Sequence, residues 1–249
     1  MRLSFPKIPL AVLLVFTVLG STLVILPTPV FASIVRMSPA CGATIVEPPG
    51  TTVVLTGNIG PCSANGLIIG FNGITLNCAG HSITGDGNIS GYIGIHLTSA
   101  IDVIVKNCVV SGFDYGIVVT SSSSVTLRGD KANGNGVGYQ VELSSLNDRL
   151  TGNTANKNVH YGLDLGNAHS NTLTGNTANK NHDVGFIVAS SSNGNTLTKN
   201  TANGNTNWGY YDVFTGSGTK GTANTYTSNI CKNNGVAGST PSGLGSPQA

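Results

Sequence analysis

The sequence predicts an all-β fold: a single right-handed parallel β-helix (solenoid) of roughly eight coils of 22–24 residues. Three observations carry this expectation. Near-copies recur, NTLTGNTANKN over Asn171–Asn181 and NTLTKNTANGN over Asn195–Asn205, with an earlier copy at Arg149–Asn158 and a degenerate one at Val125–Asn135. A glycine returns at Gly94, Gly116, Gly138, Gly162, Gly185 and Gly209, in steps of 22, 22, 24, 23 and 24 residues. After each glycine the residues alternate with period 2, the signature of a strand, not with the 3.6-residue period of a helix.

Residues 1–32 read as an export signal. Arg2 and Lys7 precede an apolar run from Ile8 to Leu26, followed by Pro27, Pro29 and a small-residue site at Val30-Phe31-Ala32. The run is close to the roughly 20 residues that span a bilayer, so an uncleaved membrane anchor is the alternative. Either way the remainder lies outside the cytoplasm: secreted, at the cell surface or periplasmic. Without the signal, 10 basic residues face 10 acidic ones. No basic stripe is left, which argues against a nucleic-acid partner.

Residues 33–52 lead in and cover the first coil as an N-terminal cap, and residues 53–235 form the β-helix. Only 9% of the chain is charged, and it holds 34 glycines; that suits many short strands joined by tight turns. Ile95, Ile117, Tyr139, Leu163, Phe186 and Tyr210 follow the anchor glycines and should point inward, as should Leu97, Val119, Val141, Leu165 and Val188 two residues later. His96, Val118, Gln140, Asp164, Ile187 and Tyr211 lie between and should point outward. Asp212 breaks this pattern and leaves the last strand's register open. A second apolar column is Ile104, Leu127, Leu150, Leu173, Leu197 and Tyr226. Three residues on come Asn107, Asp130, Asn153, Asn176, Asn200 and Asn229, and two further Val109, Ala132, Ala155, Ala178, Ala202 and Cys231. Coils stack at about 4.8 Å, so an asparagine column forms an amide ladder. Leucine-rich and helical repeats are excluded, because Gly, Asn and Ser stand where their helices would be. The last coil carries an insertion at 215–221, expected to protrude and shield the open end of the stack, a binding loop being the alternative. Residues 236–249 read as a flexible tail.

The NTLTGNT units, followed by a glycine and alternating apolar residues, resemble the right-handed β-helix repeats of the NosD-like and pectin-lyase-like superfamily. Gly73–Gly85 is similar to the N-terminal coils of exported members. The resemblance spans about residues 41–235 and implies the fold; members include lyases, hydrolases, epimerases, adhesins and accessory factors, so activity must be read from the site.

Five cysteines stand at 41, 62, 78, 108 and 231. Cys41 and Cys62 flank the first strands and are expected to pair. The odd count leaves at least one free thiol in a monomer. Cys108 and Cys231 occupy repeat columns and read as small buried residues. Asn88-Ile-Ser90 is a sequon that matters only in a glycosylating host.

The main expectation is an exported non-catalytic protein that binds a polysaccharide or a surface protein along one face, with Trp208 and Tyr211 as stacking candidates beside the long loop. Trp208 capping the last coil is the alternative. A second expectation is a polysaccharide hydrolase or lyase. Glu142 and Asp164 lie on adjacent coils about 8 Å apart at the backbone, inside the range of about 6.5–9.5 Å for an inverting pair, but no cluster of aspartates accompanies them. For a lyase, a basic residue with calcium or another cation is implied; Arg128 and Arg149 sit one column out of step, while Lys157 and Lys180 share a column. The third expectation, a copper accessory role, comes from the NosD resemblance. Copper wants His, Met or Cys together, and His160, His182 and Asp183 are the candidate ligands, beside a single Met37. His81 and His96 read as isolated, and His169 lies in a turn.

Overall fold

The computed structural model describes residues 32–87, 91–189 and 191–246. The apolar N-terminal run and the sequon at Asn88 lie outside the described residues. Apart from one 3-10 turn at Thr219–Gly221, every regular element described is a β-strand, and among the described residues no helix is long and apolar enough to cross a membrane.

The chain winds as a parallel β-helix. A first sheet has nine strands, beginning at Ile34–Met37 and Thr52–Leu55 and running through Arg149–Thr151, Thr172–Thr174 and Thr196–Thr198 to Thr225–Thr227. A second sheet, also of nine strands, begins at Ala43–Ile45 and passes through Ile93–Thr98, Tyr115–Thr120, Val137–Glu142, Leu163–Gly166 and Phe186–Ala189 to Trp208–Asp212 and Ala237–Thr240. A third is regular at Ile59–Cys62, Ser82–Gly85, Val109–Ser111 and Lys131–Ala132. It continues through single bridges at Thr154 and Thr177 to Thr201–Asn203 and Ile230–Lys232. The lead-in at 33–52 therefore supplies the first rung of two sheets and is more than a cover.

Equivalent residues stack. Leu127 pairs with Leu150, Leu150 with Leu173, Leu173 with Leu197 and Leu197 with Tyr226. All of these are buried, as are the two inward columns of the second sheet. In the last coils Phe186 stacks on Tyr210 at 5.0 Å, and Tyr210 meets Tyr226 edge-on at 6.1 Å. The expected column is corrected at one coil. Val105, not Ile104, pairs with Leu127, and Val110, not Val109, pairs with Ala132. Two adjacent β-branched residues satisfy either alternation, and a one-residue slip exchanges the faces; the backbone pairing buries Val105. Asn107 then falls in a left-handed turn at φ 56°, and Cys108 enters the asparagine column.

That column works mainly through the backbone. Asn176 Oδ1 accepts the Asn153 N–H at 2.9 Å, and its Nδ2 donates to the Leu150 carbonyl at 2.9 Å and to Asn200 Oδ1 at 3.0 Å. Parallel ladders run through Asn171, Asn195 and Asn224, and through Asn135, Asn158, Asn181 and Asn205. At each corner the chain leaves a sheet, and an N–H that the sheet no longer pairs is met by an amide instead.

Cys41 pairs with Cys62 as expected, at Cα–Cα 5.5 Å. Cys108 is not a free small residue: it is bonded to Cys78. This disulfide sits at the head of an asparagine ladder, where the Cys108 N–H donates to Asp130 Oδ1 at 2.8 Å. Cys231 is the free, buried thiol among the described residues. Two disulfides fit an oxidising compartment.

The tail assignment also changes. Ala237–Thr240 pairs with Trp208–Tyr211, Leu244 is buried, and Ser246 bridges to Ile230. The β-helix thus runs past residue 235. Asp212 lies inward in the Val188 register. Its burial is compensated by the Tyr226 hydroxyl at 2.9 Å, the Asn224 amide at 3.0 Å and the Phe214 N–H at 3.1 Å. These bonds tie the inserted segment, closed by a Thr215–Thr222 bridge, to the core.

Candidate functional site

The outer face of the second sheet carries the chemistry. In that sheet a side chain between two inward residues must point outward, and successive coils bring such side chains into a row. His96 pairs with Val118, Val118 with Gln140, Gln140 with Asp164, Asp164 with Ile187 and Ile187 with Tyr211. Two residues further on, Thr98, Thr120 and Glu142 form a second row. An open groove of about 350 Å³ runs over this face, lined by His96, Tyr115, Val118, Thr120, Gln140 and Glu142 among others. Val118 points outward yet is only 2% exposed, lying in the row between His96 and Gln140.

A third row consists of the residues that precede the anchor glycines: Ile93, Tyr115, Val137, Tyr161, Val184 and Trp208. Aromatic rings therefore recur on every second coil, a spacing of roughly 10 Å. Trp208 and Tyr211 are half-buried, with ring centroids 5.1 Å apart. The strand Ala237–Thr240 lies beyond them, so Trp208 is part of the outer face and does not cap the stack.

Glu142 and Asp164 share this face. Gln140 Nε2 donates to Asp164 Oδ2 at 3.3 Å, while Asp164 Oδ1 is buried without a hydrogen-bond partner. Burial raises the Asp164 carboxyl to about 6; the Gln140 amide opposes this and the Glu142 charge adds to it. Burial lowers the His96 imidazole below its ordinary value, with Glu142 pulling the other way. Tyr115 is raised by burial and then by Asp114, Glu142 and Asp164; Tyr161 is raised by burial and then by Asp183, Asp164 and Tyr211. These mutual influences mark one electrostatic neighbourhood. Of these groups only the Asp164 carboxyl is shifted toward neutral pH; a carboxyl perturbed in this way is a feature of binding and catalytic sites.

The other candidates fall elsewhere. Arg128 and Arg149 lie on the outer face of the first sheet, where Thr126 pairs with Arg149 and Arg128 with Thr151. Lys157 and Lys180 occupy left-handed turns at φ 57°, which accounts for their shared column. His160 and His182 are exposed, and Asp183 accepts the Asn207 amide. Among the described residues no group of three or more His, Cys, Asp or Glu side chains is placed to hold a metal ion. Met37 packs against the core. His96, which reads as isolated in the sequence, is instead a groove residue. Tyr115 and Tyr161 escaped the sequence reading, although their place before the anchor glycine was a usable signal.

Residues 50–242 match the family model described as periplasmic copper-binding protein (NosD). No curated protein matches the sequence. Among solved structures, an alginate lyase from Paenibacillus sp. str. FPU-7 aligns with a TM-score of 0.62 at 15% identity, covering 80% of this chain and 77% of that one. Pectate lyase Pel9A aligns at 0.56 and 15% identity, covering 87% and 70%. The periplasmic alginate epimerase AlgG aligns at 0.54 and 18% identity over 80% of this chain; the matched region spans about half of the epimerase, 51%. At such identities these likenesses speak for the fold. The family model covers most of the chain, including every coil that builds the groove, and the chain belongs to the NosD family.

Proposed function

We propose that this protein binds a glycan along the outer face of the second sheet as a non-catalytic exported protein. The observation that carries the reading is the aromatic row of Tyr115, Tyr161 and Trp208 beside the polar row of His96, Gln140 and Asp164. Flat rings offer apolar faces to sugar rings, and adjacent polar side chains take the hydroxyl groups. Calorimetric titration with a panel of oligosaccharides tests it. Binding should be found, and Tyr161→Ala or Trp208→Ala should each weaken it about tenfold, equivalent to roughly 1.4 kcal/mol. Failure of every glycan to bind would leave a protein partner on the same face as the reading to pursue.

Copper, named in the family description, finds no matching donor set among the described residues. Four of the cysteines are in disulfides, the fifth is buried, and the histidines do not group.

A second reading, hydrolysis of the bound glycan, is favoured by one observation. Burial lifts Asp164 to about 6, so it holds its proton to higher pH than an ordinary carboxyl, beside Glu142; two carboxyls of unequal acidity are what an acid and a base role require. Incubation of the bound oligosaccharides with the protein, followed by reducing-end measurement, decides it. Product that disappears in Asp164→Asn would establish turnover; no product leaves binding alone.

A further inference from the structure

We propose that the glycan held along this face is a neutral, extended, β-1,4-linked polymer of hexoses or N-acetylhexosamines, lying parallel to the axis of the β-helix. The inference rests on the glycan-binding reading and deepens it.

The coil spacing sets the aromatic spacing. Tyr115, Tyr161 and Trp208 each precede an anchor glycine. A Cβ on Gly116, Gly162 or Gly209 would meet the buried side chain of Ala132, Ala178 or Cys231, so each glycine faces the core and the ring before it faces out. All three rings are half-buried, while Val137 and Val184, on the coils between them, are buried. The main chain holds this column in step. Tyr115 pairs with Val137; the Gly138 N–H donates to the Tyr161 carbonyl at 3.0 Å, and the Gly185 N–H to the Trp208 carbonyl at 2.9 Å. Each ring also adjoins the outward row. Tyr115 lines the groove with Val118 and Gln140. Burial raises the Tyr161 hydroxyl, and Asp183, Asp164 and Tyr211 add to it. The Trp208 ring lies 5.1 Å from that of Tyr211.

Two coils rise roughly 10 Å. In an extended β-1,4-linked chain each sugar is turned over relative to the last, so the same ring face returns at every second sugar, after close to the same distance. The first, third and fifth sugars of such a chain then lie over the three rings in turn, each with its apolar face on an aromatic one. An α-1,4-linked chain curls and leaves this line.

Charge selects the neutral members of that class. Among the described residues neither Lys nor Arg lines the groove, and Glu142 is its carboxylate. A uronate polymer would bring a carboxylate on every sugar with no cation to meet it. Thr120 and Gln140 offer uncharged donors and acceptors instead, as does His96, which burial holds toward its neutral form against the pull of Glu142; these suit hydroxyl and amide groups.

The experiment is calorimetry of the full-length protein with four hexamers: β-1,4-linked glucose, β-1,4-linked N-acetylglucosamine, α-1,4-linked glucose and β-1,4-linked mannuronate. At least one of the first two should bind at least tenfold tighter than either of the others. For that sugar the affinity should rise about tenfold from the trimer, which reaches two rings, to the pentamer, which reaches three. Tyr115→Ala should remove this gain. Thermal melts check that the variant is folded, and the wild-type comparisons stand without it. Equal or tighter binding of the α-linked or the mannuronate hexamer, a trimer as tight as the pentamer, or a gain that persists in folded Tyr115→Ala overturns this inference while leaving a glycan site in place. No binding of any oligomer overturns the glycan-binding reading together with it.

Discussion

Replacing Asp130 and Asp148 together by asparagine should stabilise the protein by about 2–4 kcal/mol at pH 8 and change it little at pH 4. Each aspartate heads a ladder that otherwise consists of asparagines. Asp130 Oδ1 accepts the Cys108 N–H at 2.8 Å and Asp148 Oδ1 accepts the Val125 N–H at 2.7 Å, as the asparagines do. The second oxygen of each stands where an asparagine would place a donor. It is buried without a partner, whereas Asn153 and Asn176 donate from that position to the Leu127 and Leu150 carbonyls at 2.9 Å. Only the protonated carboxyl can donate there. Burial raises Asp130 to about 7, against the N–H groups of Cys108 and Arg128 and the Arg128 charge; burial raises Asp148 to about 6, against the Val125 N–H.

The folded state thus holds protons that the unfolded chain releases near pH 4, so stability falls as pH rises. The loss begins near pH 4 and is complete once pH has passed about 6 for Asp148 and about 7 for Asp130. Thermal melts across pH 4–8 should show a falling midpoint in the wild type and a flatter one in the double variant. A shift of the same size at both ends of that range, or a loss of stability at pH 8, would contradict the assignment.

Gly162→Ala should cost about 3 kcal/mol or more, the upper range for forced overpacking. A Cβ there would stand 2.6 Å from the Gly185 carbonyl oxygen, 2.7 Å from the Ala178 Cβ and 2.8 Å from the Asn181 amide. The first of these is backbone, so no side-chain rotation relieves it. The same approach recurs at Gly116, Gly138, Gly185 and Gly209, where the carbonyl of the next coil lies within 2.7 Å. Gly175→Ala is the control. Its Cβ would meet nothing within 4 Å, but its φ of 64° is left-handed, a cost of about 1–2 kcal/mol. Urea midpoints of the two variants should therefore differ clearly. Equal midpoints would mean that the anchor glycines are not needed for close approach of the coils.

The regular coils were readable because each inward residue is repeated one coil later at a fixed offset. Leu150, Leu173 and Leu197 stand in identical surroundings, and the period alone identified them. The reading failed where the pattern is locally degenerate or interrupted. Ile104 and Val105 are both apolar, so alternation could not choose between them. Asp212 looks like a violation until Tyr226 and Asn224, 14 and 12 residues later, are seen to satisfy it. Cys78 and Cys108 lie 30 residues apart, and only the stacking of irregular early coils brings them together. The tail carried no repeat, and its pairing with Trp208–Tyr211 depends on an open sheet edge that only the folded chain offers.

For the candidate site the division is similar. That Gln140, Asp164 and Tyr211 face outward in one row followed from period 2 within a strand and from the coil length, both local quantities. Which outward residues meet was a tertiary matter. His96 and Glu142 lie two coils apart, and their influence on each other depends on how the groove walls bury them. By itself the sequence determined the stacking of like residues, since each coil repeats its predecessor's hydrogen-bonding and apolar demands. Only the tertiary structure decided the register of the irregular coils, the second disulfide and the charge balance of the groove, because each arises between residues far apart in the chain and depends on what is withdrawn from water.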